Sequence, residues 1–240
     1  MKISVIVPFY CEEKILPKTL HLVDTFSKKR KEFEFIFVDD GSIDRSKEIV
    51  SHFIKTHKNS KIKLISYNIN KGKGFAVRKG IQSTDADLAL FTDADLAYSL
   101  DHLDLLKDAL QFSDLVIGSR SLIDNTRELS LSRRILGRGF NILSRILLGL
   151  NYLDMQAGLK GFKKDAARKI FARQKIDGFA FDVELIFLAK KNHLSIGQIP
   201  AKITNPESYK DSKVKLFKDS LKMFYSLVKI RMYSLTRKYD

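Results

Sequence analysis

Two carboxylates separated by one residue, Asp93 and Asp95, follow the apolar run 87–92, which predicts a buried strand. Side chains at positions i and i+2 of a strand point to the same face, so both carboxylates could bind one hard cation. Mg²⁺ and Mn²⁺ prefer such oxygen ligands and bridge them to a diphosphate. The alternative is an ordinary solvated turn, and the triplet alone leaves both interpretations open.

A loop after the first predicted strand carries a proline, an aromatic ring and a carboxylate. Pro8, Tyr10 and Glu12 could stack on a nucleobase and hydrogen-bond to its edge. The same loop could simply lead into a helix, because acidic side chains stabilise the first turn of a helix.

The second predicted strand also ends in carboxylates, Asp39 and Asp40. These could bind a base or a ribose, with Gly41 permitting a tight turn. The segment could also form a turn and an N-cap for the helix predicted at Ser46.

A glycine- and lysine-rich turn lies between these two strand ends. Lys71, Gly72, Lys73 and Gly74 offer backbone amides and two cations at a helix start, which suits a phosphate. The spacing is not that of a Walker motif. The alternative is a flexible basic turn.

A cluster of arginines could hold a second phosphate. Arg120 ends a further predicted strand, and Arg133 and Arg134 follow it along the chain. Arginine binds phosphate in bidentate fashion, although each of these side chains could equally belong to a solvated basic face.

The elements that would position these residues alternate between apolar strands and amphipathic helices. This alternation predicts an α/β fold with a mostly parallel sheet covered by helices on both faces. Ligands bind beyond the carboxyl ends of such strands, where Pro8, Asp39, Asp93 and Arg120 fall. The predicted strands are 3–7, which Pro8 ends, 33–38, 62–65, 87–92 and 115–118, and the predicted helices are 15–26, 46–53, 75–81 and 100–110.

The second half of the chain has basic amphipathic patterns. Residues 127–150 mix arginines with leucines and isoleucines, 179–188 predict a buried helix, and 196–199 a short strand ended by Pro200. Residues 213–239 predict a basic helix. Its apolar stripe is predicted to contain Phe217, Leu221, Phe224 and Val228.

Composition limits the class of protein. With 240 residues, 44% of them hydrophobic, the chain can bury a sizeable core, and its single cysteine, Cys11, excludes an internal disulfide. We expect neither a signal peptide nor a membrane span. The formal net charge of +15 implies an anionic partner. None of the five histidines has metal-ligand spacing.

Taken together, the motifs resemble glycosyltransferase family 2, whose members have the Rossmann-like GT-A fold. The resemblance is greater to one branch, the dolichyl-phosphate β-glucosyltransferases and related polyprenyl-phosphate glycosyltransferases. The motifs that carry it span nearly the whole chain and lie at 7–14, 38–42, 70–74, 77–80, 92–97, 118–120, 154–162, 181–185, 205–208 and 212–214.

Two positions depart from the pattern of relatives. Cys11 stands where the family usually has asparagine. Ala97 stands where mannosyl-type relatives often have glutamine, which favours the glucosyl-type branch.

The resemblance implies inverting transfer of a hexose, glucose favoured, from a nucleotide diphosphate sugar to a polyprenyl or dolichyl phosphate, within protein glycosylation. It implies a UDP sugar rather than a GDP sugar, and Mg²⁺ or Mn²⁺ on Asp93 and Asp95. Catalytic roles are implied for Asp95, Arg120, Arg133, Arg134 and Asp182, the last at the position where hydroxyl-acceptor relatives keep a base; here it is expected to shape the sugar pocket. Donor contacts are implied for Pro8, Tyr10, Glu12, Asp39, Asp40, Gly72, Lys73, Gly74, Arg78 and Asp93.

An ionised acceptor phosphate needs positioning more than a general base. One rival hypothesis is a family 2 enzyme that glycosylates a sugar hydroxyl in surface polysaccharide synthesis, with Asp182 as its base. Another is a non-catalytic protein that binds nucleic acid. The charge favours this less, because it concentrates beside aliphatic residues and not in aromatic-interleaved patches.

No linker or repeat divides the chain, so we predict a single domain over residues 1–240. Residues 1–120 form its nucleotide-sugar-binding half, 121–212 its acceptor-binding half, and 213–240 the basic amphipathic helix. That helix could lie on an anionic membrane surface or pack on the sheet. We expect a cytoplasmic protein, peripheral at the cytoplasmic face of a membrane, and no nucleic-acid partner.

Overall fold

The computed structural model describes residues 1–58, 60–123, 131–152, 154–204 and 216–240, with the backbone alone for 131–138, 216–221 and 223. Strands and helices alternate through the first half, as predicted. The strands are β1 (Ile3–Phe9), β2 (Phe33–Asp39), β3 (Ile62–Ser66), β4 (Leu88–Thr92), β5 (Leu115–Ser119), β6 (Leu159–Lys163) and β7 (Ile196–Pro200). The helices are α1 (Leu16–Lys29), α2 (Ser46–Thr56), α3 (Lys73–Gln82), α4 (His102–Ala109), α5 (Leu131–Leu148), α6 (Lys164–Arg173), α7 (Phe181–Lys191) and α8 (Leu216–Leu235), with a 3-10 turn at Arg120–Leu122.

The seven strands form one sheet in the order β3-β2-β1-β4-β6-β5-β7. All neighbouring pairs are parallel except those of β6, which is antiparallel to both β4 and β5. The prediction of a mostly parallel sheet is therefore confirmed. Successive residues of each strand face two different cores: Val5 and Phe35 pack on one side, and Ile6 and Ile36 on the other. Burial on both faces explains why the central strands β1 and β4 are almost entirely apolar.

The first strand does not stop at Pro8, as the sequence predicted, but continues to Phe9. Its pairing with β4 ends at Ile6 and Phe91, while its pairing with β2 continues to Phe9. Pro8 therefore lies beyond the end of the β4 ladder, where its missing N–H interrupts no hydrogen bond to that strand.

The antiparallel strand β6 and the helix α6 were not predicted from the sequence. Lys160 and Gly161 interrupt the apolar pattern of β6, yet both are buried. A Cβ at position 161 would lie 2.6 Å from the Leu90 side chain, so only glycine fits between the strand and its neighbours. Lys160 is tolerated there because the carboxylate of Asp182, 2.5 Å from its ammonium, neutralises its charge.

Of the apolar stripe predicted for the last helix, Val228 is 46% exposed, whereas Phe224 packs against Phe140 of α5 with ring centroids 6.0 Å apart. Leu227 and Ile230, which are not part of that stripe, are fully buried. Helix α8 therefore covers part of the core. The side chains of Phe217 and Leu221, and residues 213–215, lie outside the described part of the chain.

Candidate active site

Three neighbouring parallel strands bring the first predicted motifs to one edge of the sheet. Strand β1 ends at Phe9, β2 at Asp39 and β4 at Thr92, and β1 lies between the other two. Their carboxyl ends therefore lie side by side, and the loops that follow them carry Tyr10, Asp40 and Asp93.

Asp40 holds the glycine turn in place. Its Oδ1 accepts hydrogen bonds from the Tyr67 hydroxyl, at 2.7 Å, and from the Lys71 amide, at 2.9 Å, while Oδ2 accepts from the Gly72 amide at 2.9 Å. Both carboxylate oxygens are thus engaged, and burial raises the pKa of the Tyr67 hydroxyl. Asp40 fixes the backbone of the turn in which a phosphate is expected to bind.

Asp39 organises its own loop and the one that follows β1. Its Oδ1 accepts the Ser42 amide at 2.9 Å, and the Ser42 hydroxyl accepts the Cys11 amide at 2.9 Å. Cys11 has a φ of +54°, a backbone conformation that asparagine adopts more readily. The predicted N-cap of α2 is wrong, because Arg45 occupies that position and makes no side-chain capping bond.

The two glycines of the turn lie against the segment 176–178, which precedes α7. Gly72 has a φ of +103°, and a Cβ there would be 2.5 Å from the Asp177 carbonyl oxygen. A Cβ at Gly74 would be 2.7 Å from the Ile176 carbonyl oxygen. These glycines are required by close backbone packing as well as by the conformation of the turn.

Lys73 is the first residue of α3, and its ammonium lies 2.5 Å from Asp93 Oδ1. Burial lowers the pKa of Lys73, but the negative charges of Asp93 and Asp182 outweigh it, so the pKa is raised. Gly158 packs on the other oxygen of Asp93, where a Cβ would overlap the carboxylate. Asp93 is thereby held between an ammonium and a glycine backbone.

Asp95 lies in a strained turn beside Asp93. Its Oδ1 accepts the Ala97 amide at 3.0 Å, and the intervening Leu96 has a φ of +46°, which is costly for an apolar residue. Burial, followed by the negative charge of Asp93, raises the pKa of Asp95 to about 6.

The pair Asp93 and Asp95 has the chemistry of a divalent-cation site. Both side chains offer hard oxygen donors. Burial and then the charge of Asp93 raise the Asp95 pKa, and a dication would relieve the repulsion between the two carboxylates. Among the described residues no third histidine, cysteine or carboxylate completes a cluster with them. Such an ion would therefore need further ligands from a diphosphate or water.

Asp182, on the first turn of α7, forms a buried ion pair. The Lys160 ammonium lies 2.5 Å from Asp182 Oδ1 and donates a second bond to the Ala157 carbonyl at 2.7 Å. Lys160 is fully buried and the Asp182 side chain is 5% exposed. Burial raises the pKa of Asp182 and lowers that of Lys160, since it disfavours both charges.

Arg120, which follows β5, is held by Asp154. Its Nε and Nη2 donate to the two Asp154 oxygens at 2.6 and 2.8 Å, a bidentate pair, and its amide adds a bond at 3.1 Å. Burial raises the pKa of Asp154, but the Arg120 guanidinium outweighs this and lowers it. The side chains of Arg133 and Arg134 lie outside the described residues.

A comparison with protein families identifies the chain. Residues 4–171 match the model of glycosyl transferase family 2, which covers the sheet from β1 to β6 and the Asp-x-Asp turn. The chain belongs to glycosyltransferase family 2.

Curated relatives of this family 2 glycosyltransferase are similar over most of their length. A dolichyl-phosphate beta-glucosyltransferase of Dictyostelium discoideum is 35% identical, with 95% of this chain and 73% of the relative covered. Enzymes of the same name from Saccharomyces cerevisiae and Homo sapiens are 33% and 31% identical, covering 96% and 98% of this chain and 74% and 76% of the relatives.

Solved structures support the GT-A fold predicted for this family 2 glycosyltransferase. Two crystal structures of glucosyl-3-phosphoglycerate synthase from Mycobacterium tuberculosis superpose with a TM-score of 0.66 at 16% identity, covering 96% of this chain and 79% of theirs. One contains UDP, and the other contains Mn²⁺, UDP-glucose and phosphoglyceric acid.

Sequence reasoning assigned no role to Gly158, Lys160 or Asp154, which shape this site. All three lie within 154–162, a motif that carried the family resemblance. The sequence signal was therefore present, but the individual contacts of these residues depend on the antiparallel strand β6, which was not predicted.

Proposed function

We propose that this family 2 glycosyltransferase transfers glucose, with inversion, from UDP-glucose to dolichyl phosphate or a related polyprenyl phosphate. The names of relatives from three organisms support the sugar and the acceptor. UDP and UDP-glucose in structures of the same fold support the donor.

The observation that carries this proposal is the buried ion pair of Asp182 and Lys160. A sugar hydroxyl has to lose a proton as it attacks, so a hydroxyl acceptor needs a base in reach. Asp182 is at the position expected for that base, but one of its oxygens is bound to an ammonium inside the core. A phosphate monoester is already ionised near neutral pH and needs no base.

The donor diphosphate is proposed to bind at the turn 72–74, where helix α3 begins. The Gly72 and Gly74 amides are already bonded to Asp40 and to the Asp177 carbonyl, so the expectation that these amides bind a phosphate is corrected. The Lys73 ammonium and the positive end of the α3 dipole favour the charge that develops on the leaving diphosphate. Asp93 and Asp95 are proposed to hold Mg²⁺ or Mn²⁺, which would supply further neutralisation of that charge. The base and ribose are proposed to contact Pro8, Tyr10, Glu12 and Asp39.

The acceptor phosphate is proposed to lie near the carboxyl end of β5. Arg120, at the end of the predicted nucleotide-sugar-binding half, is fixed there by Asp154, and Arg133 and Arg134 follow in the predicted acceptor-binding half. Their task is to place one anion against another, so that the phosphate oxygen can attack the sugar carbon from the face opposite the diphosphate.

We propose that the chain works at an anionic membrane surface. No helix among the described residues is long and apolar enough to cross a bilayer. Helix α8 instead presents a second apolar row to solvent, beside exposed cations at Lys222 and Arg231. Exposed apolar side chains on α5 and α8 are Ile142, Leu143, Ile146, Tyr225, Val228, Met232 and Leu235.

A donor panel tests the proposed function. Thermal unfolding is measured with Mn²⁺ and UDP-glucose, UDP-galactose, GDP-glucose or GDP-mannose at equal concentration. UDP-glucose should stabilise the protein most, because a ligand that binds only the folded state raises its stability in proportion to the logarithm of ligand concentration over Kd. A larger shift with either GDP sugar would contradict the proposed donor.

A further inference from the structure

Tyr239, beyond the end of α8, is buried and hydrogen-bonded inside the core. It is 1% exposed, and its hydroxyl donates to Glu184 Oε1 at 2.6 Å. Its ring packs against Phe187, with centroids 6.1 Å apart, and edge-on against Tyr233 at 5.8 Å. Phenylalanine would fill the same space, so the hydroxyl is present for Glu184.

Glu184, on α7, is fully buried and connects Tyr239 to the segment that precedes the helix. Its Oε1 accepts the Lys175 amide and its Oε2 accepts the Ile176 amide, both at 2.9 Å. Three donors therefore converge on one buried carboxylate. A carboxylate in the core is retained only when such bonds compensate for its lost hydration.

The segment 174–177 in turn holds the glycine turn. The Gly74 amide donates to the Asp177 carbonyl at 2.7 Å, and the Gln174 side-chain amide donates to the Gly74 carbonyl at 3.0 Å. Arg78, on α3, also binds this segment: it donates to the Gln174 carbonyl at 3.0 Å and to the Asp177 carboxylate at 2.8 Å.

We infer that Tyr239 and Glu184 are positioning residues for the donor diphosphate. They act through the segment 174–177 on the backbone of Gly74, so a contact beyond α8 sets the geometry of the turn in which the diphosphate binds. This inference rests on the proposed function, since it takes that turn as the diphosphate site. In this inference Arg78 holds the segment 174–177 in place, a role distinct from the donor contact that the family resemblance implied.

Tyr239→Phe tests the inference, with Tyr233→Phe as the matched control. The control removes a hydroxyl from a neighbouring ring and leaves Glu184 and its donors in place. In Tyr239→Phe the amides of Lys175, Ile176 and Gly74 should exchange with solvent faster, whereas the β1 amides should not. The KM for UDP-glucose should rise about five- to tenfold, with kcat and the KM for dolichyl phosphate unchanged.

A second variant, Gln174→Met, interrupts the same path in its middle. It should reproduce the higher KM for UDP-glucose, while the Lys175 and Ile176 amides stay protected by Glu184. The inference is overturned if Tyr239→Phe speeds exchange at Lys175 and Ile176 but leaves Gly74 and the KM unchanged. It is also overturned if the control gives the same rise in KM.

The exchange experiment separates this inference from the proposed function. It needs no substrate, so the path from Tyr239 to Gly74 is decided even for a protein that transfers no glucose. Absence of glucose transfer by the unsubstituted chain, together with faster exchange at Gly74 in Tyr239→Phe, would overturn the proposed function. The path itself would stand.

Discussion

Lys73 lies against Asp93, with 2.5 Å between the ammonium nitrogen and Oδ1. The contact joins the two motifs that the sequence separates by twenty residues, the glycine turn and the Asp-x-Asp turn. An ammonium in this place partly neutralises two neighbouring carboxylates. On the proposed function it would compete with the divalent cation for Asp93 and would also contact the donor diphosphate.

Replacing Lys73 by methionine should therefore change the affinities for Mn²⁺ and for UDP in opposite directions. Binding of Mn²⁺ alone should tighten, because the competing ammonium is gone, while binding of UDP with Mn²⁺ should weaken about tenfold or more through loss of a charged phosphate contact. Isothermal titration calorimetry measures both. Lys79→Met, which removes an exposed cation in the last turn of the same helix, is the matched control and should change neither. Loss of both affinities in Lys73→Met would contradict this prediction.

Asp95→Ala should abolish the dependence of UDP binding on Mn²⁺.

Substitutions in the Asp182 and Lys160 ion pair should affect the free energy of unfolding more than the rate of glucose transfer. Asp182→Asn leaves a buried ammonium unpaired, so the free energy of unfolding should fall by about 3–5 kcal/mol. The double variant Asp182→Asn with Lys160→Met should recover part of that loss. On dolichyl phosphate the folded double variant should retain activity within about tenfold, less loss than Arg120→Ala or Arg133→Ala, because no proton needs removal. A loss of several orders of magnitude in kcat, in a folded protein, would show that Asp182 is a base.

Asp154 predicts acid sensitivity with a definite sign. Its pKa in the folded protein is lowered, so its pair with Arg120 stabilises the fold above the ordinary aspartate pKa of 3.8. That stabilisation is lost as the pH falls through the lower, folded-state value. Asp154→Asn should cost about 2–3 kcal/mol in urea unfolding at pH 7, and the difference from the unsubstituted chain should shrink below about pH 4. A difference that stays constant down to pH 3 would contradict the assignment.

The exposed apolar row on α5 and α8 predicts membrane binding. The intact chain should co-sediment with anionic vesicles at low salt and less at high salt, since each basic residue at the surface contributes about 1 kcal/mol. Ile146→Asp with Met232→Asp should reduce binding. Phe112→Asp, which changes a still more exposed apolar side chain after α4, is the control and should not. Equal binding by all variants would exclude this face as the contact.

The sequence predicted the parts of the fold and site that depend on local pattern. Buried parallel strands have continuous apolar runs, and their ends carry polar residues, so Asp39, Asp93 and the turn 72–74 were identified from spacing and chemistry. The family model and the superposed structures confirm the fold class.

The missed features depend on pairing between distant residues. Lys160 in a strand has the pattern of a surface residue until Asp182, twenty-two positions later, neutralises it in the core. On α8 the apolar residues form two rows, and only packing against α5 decides that Leu227 and Ile230 are buried while Val228 is exposed. Helical periodicity predicts that α8 has apolar rows, but it does not predict which row packs against α5.

An ionised phosphate as the acceptor distinguishes this enzyme from one that glycosylates a hydroxyl, and a comparison of two acceptors decides between them. Purified protein is given UDP-glucose and Mn²⁺ with either dolichyl phosphate or dolichol, two acceptors that differ only in the phosphate. We expect a glucosylated, inverted product from dolichyl phosphate and none from dolichol. Transfer to dolichol, with dolichyl phosphate left unglucosylated, would show that the acceptor is a hydroxyl and not an ionised phosphate.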